Sequence, residues 1–327
     1  MTEVDITKLK YSVKAFFSSG EVMDLTGLCT SLTWGEEKNS IAQKAEIKLA
    51  NIKIDKGYIS DLIELCTQIV IFVNEEEYFR GIVWDWSYTS ALEKELSFTA
   101  YDKMIYLTQS KGNTYYSSGK STQFLVEDIC KEWGINVCYE WESWTHGKTP
   151  LKDMEISRQL TTVLDEAQTK LDSKYVMLFE KDTLIIRKKG SNTDIYYFHG
   201  KNVESTTNRL TLQGLVTKVL VYGKSEEDKR PPLLKTIDGN LEYGTLQEIV
   251  TKDSNKTLED AEKEAQNILK EKGKPEENIS ISTIDVPMMR KGDKIKLVAG
   301  NLSGYFIVEG ITHNGFEKTM ELELERI

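Results

Sequence analysis

A chain of 327 residues is longer than one ordinary core organises and predicts two or three domains of roughly 100 to 200 residues each. With 39% hydrophobic and 29% charged residues it has the composition of a folded protein and not of a disordered one. A formal net charge of -10 argues against phosphate-backbone binding, no apolar run is long enough to span a bilayer, and the first residues lack the order of a signal peptide, so no membrane partner and no specific nucleic-acid partner are expected.

From Tyr11 to Ala100 the pattern is that of strands. Ala45, Ile47 and Leu49 alternate with Glu46 and Lys48, and Leu96, Phe98 and Ala100 alternate with Glu95, Ser97 and Thr99, a period of two that dries one face. Between these runs, residues 68–73 and 78–84 read as the arms of a hairpin joined through 74–77. Residues 1–110 are therefore expected to form a mostly β domain, closed by 101–107.

The character then changes. Ser121 or Thr122 caps a helix whose apolar face is Phe124, Leu125, Ile129 and Trp133 and which stops at Gly134. A second helix is predicted over 157–172, with Leu160, Val163, Leu164, Ala167 and Leu171 on one side, followed by a hairpin of 175–179 with 184–187. Residues 111–200 thus read as a small α/β domain.

Residues 201–327 read as a second β domain with one helix. The charged stretch 224–245, which carries Pro231 and Pro232, is expected to be an exposed loop. A helix over 257–272 has a capping box of Thr257 and Asp260 and a stripe of Leu258, Ala261, Ala265, Ile268 and Leu269, and is expected to pack beside the C-terminal sheet. That sheet of about four antiparallel strands ends with Met320, Leu322 and Leu324 on its dry side and Glu321, Glu323 and Glu325 on the other. The two ends also match in order of parts: 67–71 with 293–297, 78–82 with 305–311, and an alternating strand closing each. Both are read as copies of one module.

Chemistry is sparse. His146, His199 and His313 stand apart, and Cys29, Cys66, Cys130 and Cys138 lack redox or zinc spacing and are expected to be buried free thiols. Nucleophile elbow, Walker loop and dinucleotide fingerprint are all missing. No catalytic residue, metal ligand or cofactor is assigned, and the chain is expected not to be an enzyme. Asp85 and Asp102 beside aromatics are the nearest approach to a glycosidase pair, in a chain whose 52 acidic residues supply such neighbours by chance. In the loop 139–147, Tyr139, Trp141 and Trp144 either anchor a partner or stack on sugar, or else cover the middle-domain helices.

The ordered motifs DLTGLCTSLTW at 24–34, FRGIV at 79–83 and TAYDKMIYL at 99–107 resemble the XkdQ/YqbQ-like family of contractile phage-tail hub proteins. The likeness continues through 121–135, with Cys130, Trp133 and Gly134, through 261–273, and through Gly292-Asp293, Gly304-Tyr305 and His313. It implies an α+β, mainly β fold in which two tube-like antiparallel β modules flank a small α/β domain. It further implies a homotrimeric baseplate hub of a contractile phage tail or tailocin, assembled in the bacterial host cytoplasm, that adapts the six-fold tail tube protein to a three-fold spike protein. Three chains with two modules each offer six similar faces to the tube.

The chain departs from the family pattern in its 139–147 and 224–245 loops. Tyr139, Trp141, Trp144, Pro231 and Pro232 are accordingly the candidate contacts for further partners, which the resemblance gives as a LysM-bearing linker and baseplate wedge proteins. Glu321, Glu323 and Glu325 either line an acidic lumen that repels a phosphate backbone or face bulk solvent. Two other readings are kept: a cell-wall carbohydrate-binding or lytic tail module using Trp141 and Trp144, and a scaffold unrelated to tails that is a monomer or dimer.

Overall fold

Strands form wherever alternation allows one face to be dried, and the computed structural model, which describes residues 6–89, 95–224, 230–252 and 257–327, shows this from the first element onward. The N-terminal strands are β1 (Tyr11–Phe16), β2 (Val22–Asp24), β3 (Cys29–Glu36), β4 (Gln43–Ala50), β5 (Gln68–Val73), β6 (Glu76–Thr89) and β7 (Glu95–Tyr101). In β4 and β7 the apolar alternates Ala45, Ile47, Leu49, Leu96, Phe98 and Ala100 are all buried. β5 and β6 form the expected hairpin. Its tip, Asn74 and Glu75, has φ values of 49° and 72°, the mirror-image turn that suits strand twist.

The middle segment has α1 (Thr122–Glu132), β8 (Asn136–Glu140), α2 (Ile156–Leu171), β9 (Tyr175–Glu180) and β10 (Thr183–Lys188). α1 begins where the Phe124 N–H donates to Ser121 Oγ at 3.2 Å, and Gly134 beyond its end takes a left-handed φ of 60°. Leu125, Ile129, Leu160, Val163, Leu164 and Ala167 pack in one cluster with Phe179, Leu184 and Ile186 of the strands. Phe124 is not on the buried face: it is 41% exposed and lies under Lys120 Nζ, 4.3 Å from the ring centroid.

The remaining elements are β11 (Tyr196–His199), β12 (Val203–Thr211), β13 (Lys218–Tyr222), β14 (Leu233–Asp238), β15 (Gln247–Thr251), α3 (Leu258–Lys272), β16 (Glu276–Ile284), β17 (Lys294–Ala299), β18 (Leu302–Asn314) and β19 (Thr319–Arg326). The chain divides into two units, Met1–Thr206 with Ser280–Ile327, and Thr207–Ile279. This division does not follow the sequence-derived boundaries at 110 and 200.

In the Thr207–Ile279 unit, β13 lies between β14, antiparallel, and β15, parallel. The capping box of Thr257 and Asp260 forms as expected. α3, however, does not pack beside the C-terminal sheet: Ala261 and Ala265, with Ile268 and Leu269, cover Val219, Val221 and Val250 of this small sheet. The charged stretch 224–245 is likewise not all loop, because β14 pairs with β13 from Lys218↔Asp238 to Tyr222↔Leu233. β14 is almost wholly exposed, so backbone pairing holds it and no alternation marks it in the sequence.

A sheet of thirteen strands among the described residues runs in the order β12-β16-β19-β18-β3-β4-β7-β6-β5-β1-β2, with β17 also pairing β18, and β11 pairing β17; the other unit holds all of it except 207–211 of β12 and 276–279 of β16. The expected repeat is visible in its topology. β5-β6-β7-β4-β3 in the N-terminal half has the same neighbour relations as β17-β18-β19-β16-β12 in the C-terminal half. Even an irregularity recurs: the β6/β7 register shifts between Val83 and Asp85, and the β18/β19 register between Val308 and Gly310. A bulge at the same place in both ladders bends both modules alike.

Candidate assembly surfaces

The aromatic loop of the middle segment separates into core and surface. Trp141 is 7% exposed, donates from Nε1 to Ser173 Oγ at 3.1 Å and leans on Tyr175, so it belongs to the core and is not a contact residue of the free chain. Trp144 is 36% exposed, and Tyr139 is half-buried with its hydroxyl donating to the Glu142 carbonyl. The loop is held by Thr122, whose N–H donates to the Trp144 carbonyl at 2.8 Å and whose Oγ1 accepts the Trp144 N–H at 3.0 Å. Buried His146 braces that hydroxyl, with Nε2 2.9 Å from Thr122 Oγ1 and Nδ1 3.1 Å from Glu166 Oε2. The order hydroxyl, imidazole, carboxylate is that of a nucleophile relay, yet Thr122 is fully buried and its oxygen already accepts a hydrogen bond, so the arrangement anchors the loop. Trp141→Ala is expected to cost about 3–5 kcal/mol and Trp144→Ala under about 1 kcal/mol in urea denaturation.

The other sequence-derived positions also sort by environment. Pro231 is half-buried and Pro232 exposed, with the Gly223 N–H donating to the Pro232 carbonyl at 2.9 Å. Glu321 and Glu323 are exposed on the outer face of β19. Glu325 is paired with Lys174 of the middle segment, so it does not belong to a free acidic stripe. Asp85 is exposed, whereas Asp102 is buried, accepts the Gln43 and Met104 N–H groups at 2.9 Å each, and is pushed by burial up to about 7. The two do not make a glycosidase pair. Cys66 is exposed, not buried, in a left-handed turn with φ 67°.

Where the two modules meet, β3 pairs with the end of β18 from Ile311↔Glu36 to Asn314↔Thr33. Gly35 permits the approach, since a Cβ there would lie 2.0 Å from the Ile311 carbonyl oxygen. Trp34 stacks on His313 at 4.9 Å, and Asp285 joins His313 Nδ1 at 2.6 Å to the hydroxyl of Tyr11 at 2.5 Å. Arg290 donates to Glu36 at 2.8 and 3.2 Å and to the Phe179 carbonyl at 3.1 Å, while the Lys291 N–H donates to Glu36 at 2.9 Å. Burial pushes the Glu36 carboxyl up, but the charge and hydrogen bonds of Arg290, with the Lys291 N–H, outweigh it and hold it below the ordinary value. Asp293 continues the network to Arg187. Sequence reading missed this cluster, because charged residues scattered at turns look like solvated surface.

Two of the open edges of the large sheet bear on assembly. Beyond Val83, β6 pairs among the described residues only with β7, and its exposed side chains include Trp84, Trp86 and Tyr88 at 37%, 37% and 38% exposure. At the end of the strand order, β12 pairs with β16 alone among the described residues. Exposed edges of this kind are templates for another strand unless covered.

Residues 32–325 match the family model described as YQBQ-like. The 43 kDa tail protein of prophage MuSo2 from Shewanella oneidensis superposes with a TM-score of 0.72 at 12% identity, covering 97% of this chain and 98% of that one. A tail protein from Neisseria meningitidis MC58 gives 0.68 at 13% identity over 96% of both chains. The E. coli c3393 protein, described as a type VI secretion component structurally similar to T4 tail proteins gp27 and gp5, gives 0.54 at 10% identity over 98% of this chain and 77% of that one. No curated protein matches the sequence.

Proposed function

The chain belongs to the YQBQ-like family, and from that premise we propose that it is the baseplate hub of a contractile phage tail or tailocin, a homotrimer adapting a six-fold tail tube to a three-fold spike. The observation that carries this reading is the module written twice in one sheet, down to the repeated bulge. A six-fold ring and a three-fold spike have only the three-fold rotation in common, and three chains each holding two like modules keep that rotation while offering six similar faces. The fold shared with phage-tail proteins, and with a type VI secretion protein likened to T4 tail components, supports the same assignment.

In this reading the chain is a structural component with no catalytic role. It assembles in the bacterial cytoplasm and ends in the baseplate. The middle segment, with Trp144 exposed, takes the LysM-bearing linker and wedge proteins, and Glu321 and Glu323 are what is left of the acidic stripe to line a lumen. Multi-angle light scattering of the purified chain, alone and with its cognate spike, is expected to give the mass of three chains in at least one of the two. A monomer under both conditions at high concentration overturns the reading.

A further inference from the structure

The two modules correspond residue by residue at the turn that leads into their central hairpin. The Cys66 N–H donates to the Val83 carbonyl at 2.8 Å as the Gly292 N–H does to Val308 at 2.7 Å. The Val83 N–H returns to Thr67, and the Val308 N–H to Asp293, both at 2.9 Å. The Glu64 N–H is capped by Thr67 Oγ1 at 3.1 Å and the Arg290 N–H by Asp293 Oδ2 at 2.9 Å. Cys66 and Gly292 share the left-handed conformation. Glu64 therefore stands where the second module has Arg290. Counting from the common bulge, Trp86 opposite Phe98 stands where Ile311 is opposite Leu322, and Tyr88 stands where His313 is.

In the C-terminal module this place is filled. β3 lies along residues 311–314, Ile311 and His313 are each 2% exposed, and Glu36 at the end of β3 receives Arg290. In the N-terminal module no strand among the described residues takes the same place. Trp86 and Tyr88 are more than a third exposed, and an open slot of about 390 Å³ runs between Ser60, Ile63, Glu64 and Leu65 on one side and Trp84, Asp85 and Trp86 on the other. Trp84 is steadied by an edge-on contact with Tyr106 at 5.7 Å. Among the described residues neither Glu64 nor Asp85 has a basic partner, so the slot is an aromatic cleft with acidic walls. Its complement is an extended strand carrying a cation.

The repeat identifies that strand. β3 lies outside β4 as β12 lies outside β16, so the counterpart of β3 is β12, one open end of the sheet. Val203–Thr211 holds one basic residue, Arg209, which is exposed. The junction within the chain sets a carboxylate on the strand against a cation on the turn; β12 and the slot offer the same pair with the signs exchanged. We propose that β12 of a second copy adds to residues 85–89 of β6 and seats Arg209 against Glu64. The exchange also rejects the wrong partner, because a strand with its carboxylate at that end, as Glu36 has, would meet Glu64 and Asp85, whereas the carboxylate of β12, Glu204, stands near the opposite end of the strand from Arg209. Each copy offers one slot and one β12, so the contact is head-to-tail and generates a ring where the rotation closes.

The proposal rests on the self-assembly in the proposed function, not on the identity of tube or spike. The test uses the full chain, with assembly followed by sedimentation and backbone protection by hydrogen exchange. Glu64→Arg and Arg209→Glu are each expected to weaken association at least about tenfold without changing the melt, and the double variant to recover most of the loss. The amides of 84–89 and 203–211 are expected to exchange more slowly in the assembled protein than in the dilute monomer. Assembly unaffected by either reversal, a double variant no better than the singles, or unprotected 84–89 amides in the assembled chain overturns the strand pairing and leaves self-assembly standing. A chain that stays monomeric with and without its spike overturns both.

Discussion

Leu322→Asp is expected to abolish the native fold of the C-terminal module, while Glu323→Gln, the next residue, leaves the melt unchanged to within about 0.5 kcal/mol. Leu322 is fully buried, opposite Ile311 on β18, whereas Glu323 is on the exposed face of β19. A carboxylate at 322 has no cation to meet among its apolar neighbours, and an unpaired buried charge costs several kcal/mol against a total domain stability of about 5–15 kcal/mol. Far-ultraviolet circular dichroism with urea titration measures both variants. Equal losses would mean that the face of β19 is assigned the wrong way round.

Arg290→Ala is the second large effect, expected to cost about 3–5 kcal/mol because it strands Glu36 in the interior. The pH dependence should change sign with it. In the native protein Arg290 holds Glu36 below the ordinary carboxylate value, so the folded state binds that proton less readily than the unfolded one. Its contribution is then present above the ordinary range and fades as pH falls. Without Arg290, burial is opposed only by the N–H and the charge of Lys291, and the carboxyl is expected to rise above its ordinary value, so the same group then loses stability as pH rises. Urea midpoints at about pH 3, about pH 5 and about pH 8 distinguish the two: the native contribution is level above about pH 5 and fades toward pH 3, whereas that of the variant declines from about pH 5 to about pH 8. Replacing the pair together, Glu36→Gln with Arg290→Met, is expected to recover much of the loss, since apolar or neutral groups of similar volume leave no charge uncompensated.

Local pattern and local capping chemistry were sufficient for much of the architecture. The alternation in β4, β7 and β19, the Ser121 cap of α1, the Thr257 box of α3 and the hairpin at Asn74 all depend on residues a few positions apart, where periodicity and side-chain-to-backbone hydrogen bonds act directly. The repeat was also legible, because both ends keep the same order of strands and each closes on an alternating one. What α3 packs on, that β14 is a strand, that Trp141 is core while Trp144 is surface, and that Phe124 faces solvent were not legible. Each depends on which neighbour arrives in space. An apolar stripe is satisfied by any apolar sheet, and an exposed strand held by backbone pairing leaves no periodic trace.

The chain's own sequence determined its element types, its mainly β class and its doubled module, since these follow from spacing and capping within a few residues. Tertiary structure alone decided how the modules join and which edges stay open. Arg290 and Glu36 are 254 residues apart in sequence, and nothing local marks either as buried. Their charges become partners only because β18 runs past its own hairpin to pair with β3. Among the described residues the matching end of β6 finds no such strand, which leaves Trp86, Tyr88 and Glu64 uncovered. Coverage of an edge is a property of the whole sheet order, and no window of sequence contains it.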